Sequence, residues 1–293
     1  MLRILLMSVV VLGMATAASA AEPAKVVVIA GRPSHGPGDH EFNAGCKLLV
    51  KCLKDVPGIS PVFVAGGWPQ DESVFEGAKS VVFFMDGGGG HPMIQQDRLD
   101  RVIKPLMDKG VGLVCLHYAV EVPKGKPGDR FLEWLGGYYE TAFSTNPHWT
   151  AAIKSLPDHP ITRGVKPFAV KDEWYFNIRF RPEMKGVTPV VVASPDDATR
   201  NGVSAAPRGP YKHILEAKGR EEVLAWAVER PDGGRGFGFT GAHSHKNWSN
   251  ADFRTLVLNA VVWSAGKDVP SEGTKCDLTE AELNANLDPK GKR

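Results

Sequence analysis

Long apolar runs are nearly missing from this 293-residue chain. After residue 20, no segment approaches the roughly 20 uninterrupted apolar residues that a bilayer-spanning helix needs. Charge of one sign is missing too. With 35 basic residues against 33 acidic ones, nothing in the balance points to nucleic acid or to an anionic membrane, which leaves a small-molecule partner as the default. Cysteine is scarce: Cys46, Cys52, Cys115 and Cys276 form neither a metal spacing nor a dense disulfide framework. DGGGGHP lacks the GK[ST] of a phosphate loop and GRPSHGPGDH is not GxGxxG, and the chain has no GxSxG elbow and no HExxH pair. Internal repeats and low-complexity blocks are also absent.

The one early apolar stretch has a specific character. Arg3, the run ILLMSVVVLGM and the small residues Ala18-Ser19-Ala20 form the three parts of a cleavable secretory signal over residues 1–20. The mature protein is expected to begin near Ala21, with no membrane association after cleavage, in the periplasm or outside the cell. No lipid-accepting cysteine lies near the cleavage region. An oxidising compartment permits one disulfide, from Cys276 to Cys46 or Cys52. Cys115 lies inside an apolar strand and reads as core.

Past the leader, apolar strands alternate with helices. KVVVIAG (25–31) precedes a loop rich in Gly, Pro and His and a helix around 42–54. SVVFFMDGGGGHP leads to the amphipathic QQDRLDRVIKPLMDKG, which Gly110 closes, and VGLVCLHYAVE follows. Strands of this kind, apolar almost throughout, predict a parallel sheet covered on both faces. From 137 to 220 the order loosens into shorter strands, among them VTPVVVAS (187–194), around an insertion expected to help roof the site. EEVLAWAVE and GRGFGFTGAH read as neighbouring strands joined at Pro231-Asp232-Gly233-Gly234. A helix over 250–266 starts at the Asn250 cap and stops at Gly266. A charged tail, 267–293, carries a short helix at LTEAELNANL.

Nine histidines are present, and six of them, His35, His40, His91, His117, His243 and His245, follow the carboxyl ends of predicted strands. Ligands of open α/β sheets bind at that edge. His243 and His245 would share a side if the strand stayed extended. Glu41, Glu121 and the pair Asp172-Glu173 could join them, and Trp174 with Tyr175 could form a ligand-facing wall. Imidazole with carboxylate suits zinc, or manganese, iron or nickel where oxygen donors are more numerous. Taken singly, each of these residues is more often a solvated or packing residue.

AGRPSHGPGDHEF, MDGGGGHP, LVCLHYAVE, NPHWT, DHPITRG with DEWY, and GRGFGFTGAHSHKNW leading into FRTLVLNAVVWSAG together resemble the ThuA-like (trehalose utilisation) family, from Val26 to about Gly266. That resemblance implies a flavodoxin-like or class I glutamine amidotransferase-like three-layer sandwich with a mainly parallel central sheet. Asp86 to Gly90 resemble the glycine-rich oxyanion loop of the amidotransferases, and His243 matches their catalytic histidine. His117 stands where their nucleophilic cysteine would be, which excludes glutamine hydrolysis by the usual thiolate route.

The resulting expectation is a metal-assisted enzyme acting on a small-molecule carbohydrate, a disaccharide or keto-glycoside, as isomerase, lyase or hydrolase. His35, His117, His243 and His245 are the expected ligands of a divalent ion. Glu121, Glu173 or His40 would move the proton. Asp86, Gly88, Gly89, Tyr118, His148, Trp174 and Trp248 are expected to contact the sugar. Two alternatives remain: a non-catalytic sugar-binding module resting on Trp174 and Trp248, and a hydrolase using Cys115.

Overall fold

The structure, a computed structural model, describes residues 22–202 and 211–291; the expected signal peptide lies outside them. Seven strands build the central sheet: β1 (Ala24–Ala30), β2 (Ile59–Val64), β3 (Ala78–Phe84), β4 (Gly112–Leu116), β9 (Val187–Ala193), β10 (Glu222–Glu229) and β11 (Arg235–Phe239). Their order is β2-β1-β3-β4-β11-β10-β9. The first five are parallel, and β10 and β9 add an antiparallel edge. The four remaining strands, β5 (Gly137–Tyr138), β6 (His148–Ile153), β7 (Phe168–Glu173) and β8 (Arg179–Phe180), form two small antiparallel sheets of two strands each, β5 with β8 and β6 with β7.

β1 explains the layering. Val26, Val28 and Ala30 enter one hydrophobic cluster and Val27 and Ile29 the other, all fully buried. A strand covered on both faces has no polar side, and so its sequence reads as a continuous apolar run. Helices Phe42–Lys54 and Ala251–Ser264 pack on the first face. Leu99, Ile103, Met107, Phe131 and Trp134 cover the second. The result is a three-layer α/β sandwich with a mainly parallel sheet. The Asn250 side chain accepts from Phe253 N–H at 3.0 Å to open the long C-terminal helix, as its sequence requires.

The expected amphipathic helix after β3 is broken instead. Residues Pro92–Asp97 form 3-10 turns, Leu99–Ile103 a π turn, and Lys104–Asp108 a short α segment. Pro105 cannot donate a backbone hydrogen bond, and Gln96 and Asp97 sit at positive φ, so the hydrogen-bond ladder cannot run through at one register. The apolar spacing survives because Leu99, Ile103 and Met107 still face the sheet.

The tail is stapled to the body. Of the two pairings open in sequence, Cys52–Cys276 forms, while Cys46 and Cys115 are buried free thiols. The short tail helix is Glu280–Leu283, with Thr279 and Glu282 capping each other. Among the described residues, no helix is long and apolar enough to cross a membrane.

Candidate metal centre

Three loops at the carboxyl ends of β1, β4 and β11 deliver His40, His117 and His243, as the parallel topology predicts. All three are buried. His40 (φ 49°) and His117 (φ 54°) have positive φ, and so does Ala242 (φ 85°) just before His243. Non-glycine residues rarely adopt that conformation, and strain of this kind collects at functional sites. His117 sits at a sharp strand-to-helix turn, the place of a nucleophile elbow.

The loops are also tied to each other. His40 N–H donates to His243 O (2.9 Å) and His245 N–H to Gly38 O (2.8 Å), with an isolated bridge between Asp39 and Ser244. Asp172, buried on β7, accepts from Ala242 N–H (2.7 Å) and Ser244 N–H (3.1 Å) and so fixes the turn that carries His243.

The ring nitrogens converge. His40 Nε2 lies 3.0 Å from His243 Nδ1 and 3.1 Å from His117 Nε2, and the last two are 3.2 Å apart. Glu173 Oε2 lies 3.1 Å from His243 Nδ1 and 3.4 Å from His117 Nε2. Tyr175 Oη is 3.2 Å from His117 Nε2. The outward nitrogens are occupied: His117 Nδ1–H donates to Thr240 O (2.9 Å), His40 Nδ1–H to Asp86 Oδ1 (2.9 Å), and His243 Nε2 lies 3.5 Å from Asp39 Oδ1.

These outer contacts fix the tautomers. With both outer positions donating, His40 Nε2 and His117 Nε2 meet lone pair to lone pair at 3.1 Å, an arrangement that a cation between them, or a proton on His243 Nδ1, satisfies. Protonation of His40 does not satisfy it. Burial pushes the His40 pKa down to about 3, against the opposing Asp86 bond and with help from the other imidazoles. Ligands about 2.0–2.1 Å from a tetrahedral ion stand about 3.3 Å from one another, close to the observed spacing. Outer hydrogen bonds that orient each imidazole are the usual second layer of such sites. His40, His117, Glu173 and His243 therefore fit a divalent ion.

Charge within the cluster is set by neighbours. Burial pulls the Glu173 pKa upward, but hydrogen bonds and charge from His117 and His243 outweigh it and hold the carboxyl well below the usual range. Burial acts the other way on His243, where the Glu173 bond prevails and raises the pKa. Asn146 Nδ2–H holds the second Glu173 oxygen at 3.0 Å.

A cavity of about 150 Å³ opens on the cluster, lined in part by Tyr118, Glu121, Tyr139, Thr141 and Tyr175. Residues 137–180 therefore roof the site. Burial raises the Glu121 pKa to about 7; a 3.0 Å bond from Thr141 Oγ1–H works against this, and the charge of Glu173 adds to it. Tyr118 is raised to about 12, first by burial.

Several expected site residues lie elsewhere. His245 begins a 3-10 turn rather than continuing the strand, so it does not share a side with His243; its Nε2–H donates to Leu283 O at 2.7 Å. His35 is exposed and stacks on His40 at 3.6 Å between centroids, grouped with Asp86 rather than with the central four. His91 is buried, donating to Ala119 O. Trp174 is fully buried against Phe239 and Phe253, and Trp248 against Phe84 and Phe253. Neither can touch a sugar, whereas Tyr175 does face the cavity. His148, half exposed, stands at the rim with Nε2 4.0 Å from Glu173 Oε1. Gly88 N–H is taken by Glu121 O (2.9 Å) and is no free oxyanion donor, while Gly89 stays exposed. Cys115 is fully buried and burial pushes its thiol up, which removes it as a nucleophile.

Lys290, and the part that Glu41 plays with it, were invisible in sequence. Glu41 accepts from Gly38 N–H (2.8 Å) and Asp288 N–H (2.7 Å), and pairs with buried Lys290 at 3.3 Å. Lys290 Nζ also donates to the carbonyls of Asp39 and His40. Partners some 250 residues apart leave no local pattern.

The family model described as trehalose utilisation (ThuA) matches residues 67–264. A protein described as ThuA-like from Bacteroides uniformis ATCC 8492 has a similar structure, with TM-score 0.58 and 16% identity over 88% of this chain and 98% of that one. A second, from Parabacteroides merdae ATCC 43184, gives TM-score 0.55 and 18% identity over 89% and 99%. At that identity the two support the fold alone. No curated protein matches the chain.

Proposed function

The chain belongs to the trehalose-utilisation (ThuA) family, and on that premise we propose that it is a metal-assisted enzyme of carbohydrate breakdown, acting on a disaccharide or keto-glycoside outside the cytoplasm. The family match supports a carbohydrate-related role. The reading rests on three imidazole nitrogens within 3.2 Å of one another beside a carboxylate. The signal-like leader and the Cys52–Cys276 bridge support the compartment.

His40, His117, His243 and Glu173 would hold the ion. Bound there, a divalent cation polarises a carbonyl or hydroxyl, or activates water. Glu121 is then the free carboxyl beside the cavity, and a pKa near 7 suits a group that both takes and gives a proton at neutral pH. Tyr118 and Thr141 lie where sugar hydroxyls would be held, and the roof of Tyr139, Asn146 and Tyr175 limits water. Isomerisation, elimination and hydrolysis all need that proton transfer. The non-catalytic alternative loses its anchors, since Trp174 and Trp248 are buried.

Elemental analysis of untagged protein prepared without chelator, beside a His117→Ala/His243→Ala double variant, tests the proposal. Near-stoichiometric metal lost in the variant, together with turnover of a keto-glycoside, is the expected result. Metal-free protein that still turns over the sugar would overturn it.

A further inference from the structure

The cavity at the histidine cluster, about 150 Å³, falls below the roughly 300–1,000 Å³ of ordinary ligand sites. A second cavity of about 350 Å³ lies next to it. Asp86 is the wall between them: it lines the second cavity, while its Oδ1 accepts from His40, which lines the first. The glycine loop continues that partition. Gly88 faces Tyr118 and Glu121 on the cluster side, whereas Gly90 lines the second cavity.

The top of the partition is bare. A Cβ at Gly89 or Gly90 would meet nothing within 4 Å, and neither residue has the positive φ that favours glycine. Side chains would be tolerated there by the fold; their absence leaves open space above the partition, where Gln95 Nε2–H reaches the Gly89 carbonyl at 2.8 Å. The far wall is polar. Trp68 lies between Phe83 and the Arg98 guanidinium, and its Nε1–H is fixed on Glu72 at 2.7 Å. Arg32 is exposed, held only through Nε–H to Gly66 O at 3.3 Å, and it makes no ion pair among the described residues. Its remaining N–H groups are available to ligand oxygens. A wall that offers the Arg32 N–H groups and the Asp86 carboxylate suits a hydroxylated ring better than a hydrocarbon.

We propose that the second cavity is the subsite for the second ring of a disaccharide-length glycoside, which crosses the backbone of Gly89 and Gly90 with its first ring at the histidine cluster. This rests on the carbohydrate reading above and adds the length and path of the ligand. Gly90→Leu fills the second cavity from the partition without backbone strain, and Arg32→Ala removes an exposed donor; both variants should fold.

Calorimetric titration of the metal-loaded protein with trehalose, maltose, cellobiose and the two methyl glucosides separates the outcomes without requiring turnover. At least one disaccharide should bind about tenfold more tightly than the methyl glucosides. Gly90→Leu should abolish that preference and Arg32→Ala reduce it, with methyl glucoside affinity held within about twofold. A preference that survives both substitutions, or equal affinity for one and two rings, overturns the subsite and leaves the enzymatic reading standing. Failure of every sugar to bind overturns the subsite, and the enzymatic reading is then decided by its own metal and keto-glycoside test.

Discussion

At the carboxyl ends of β1, β4 and β11 the site consists of imidazoles on strained, mutually hydrogen-bonded loops. Residues 137–180 bring it different groups: the Glu173 carboxylate at the end of an extended strand, the Asn146 amide, and the Tyr139 and Tyr175 phenols. The contrast suggests a division of labour. The sheet edge would set where a cation sits, and the insertion the net charge around it and what fits above it.

Removing a sheet-edge ligand should have the largest effect. His117→Ala is expected to take metal content from near one ion per chain to near none and to abolish turnover, with circular dichroism unchanged; a variant that keeps its metal breaks the division. Glu121→Gln should leave the metal in place while lowering kcat by roughly 10²–10⁴-fold. Its pH profile sharpens the point. Burial raises Glu121 to about 7, so the basic form, and with it kcat/KM, increases as pH rises through that value. A bound cation draws this limb to lower pH, and the limb should vanish in Glu121→Gln. The sign for stability is opposite: the folded state favours the neutral acid, so stability is lost as pH climbs from the unfolded value of about 4.3 through 7.

Asp172→Asn crosses the division, because an insertion residue holds the sheet-edge turn at Ala242 and Ser244. Metal affinity should fall roughly 10–100-fold, as for other residues that orient ligands; competition with a chromogenic chelator measures it. Tyr175→Phe is expected to be mildest. Losing one hydroxyl contact with His117 should cost about 0.5–1.5 kcal/mol in kcat/KM, with metal content unaffected.

The same contrast explains what the sequence disclosed. Strands buried on both faces write themselves as apolar runs, so β1, β3, β4 and the histidines beyond β4 and β11 could be placed from pattern alone. His40 was found but cast as a base, because its ligand role depends on Asp86 occupying its other nitrogen. His245 was misplaced because periodicity assumed an extended chain where a 3-10 turn begins. Trp174 and Trp248 read as a sugar platform in sequence because the contacts that bury them, with Phe239, Phe253 and Phe84, are distant along the chain. Asp172 was noted, but its task of fixing the turn before His243 needs a partner 70 residues away.

Lys290 lies beneath the loop that carries His40, its charge spent on Glu41 and on backbone carbonyls, while Cys276 anchors the same tail to Cys52. In the order of biosynthesis this makes the centre a late assembly: the histidine loop forms early in the chain but gains its cationic support only when residues near 290 have been made and threaded into place. A chain cut short of residue 276 would have its sheet and all three imidazoles, yet Glu41 would lose both Lys290 and the Asp288 N–H, and the His40 loop its support. Residues 276–290 thus couple the order of the His40 loop to a segment made some 250 positions later.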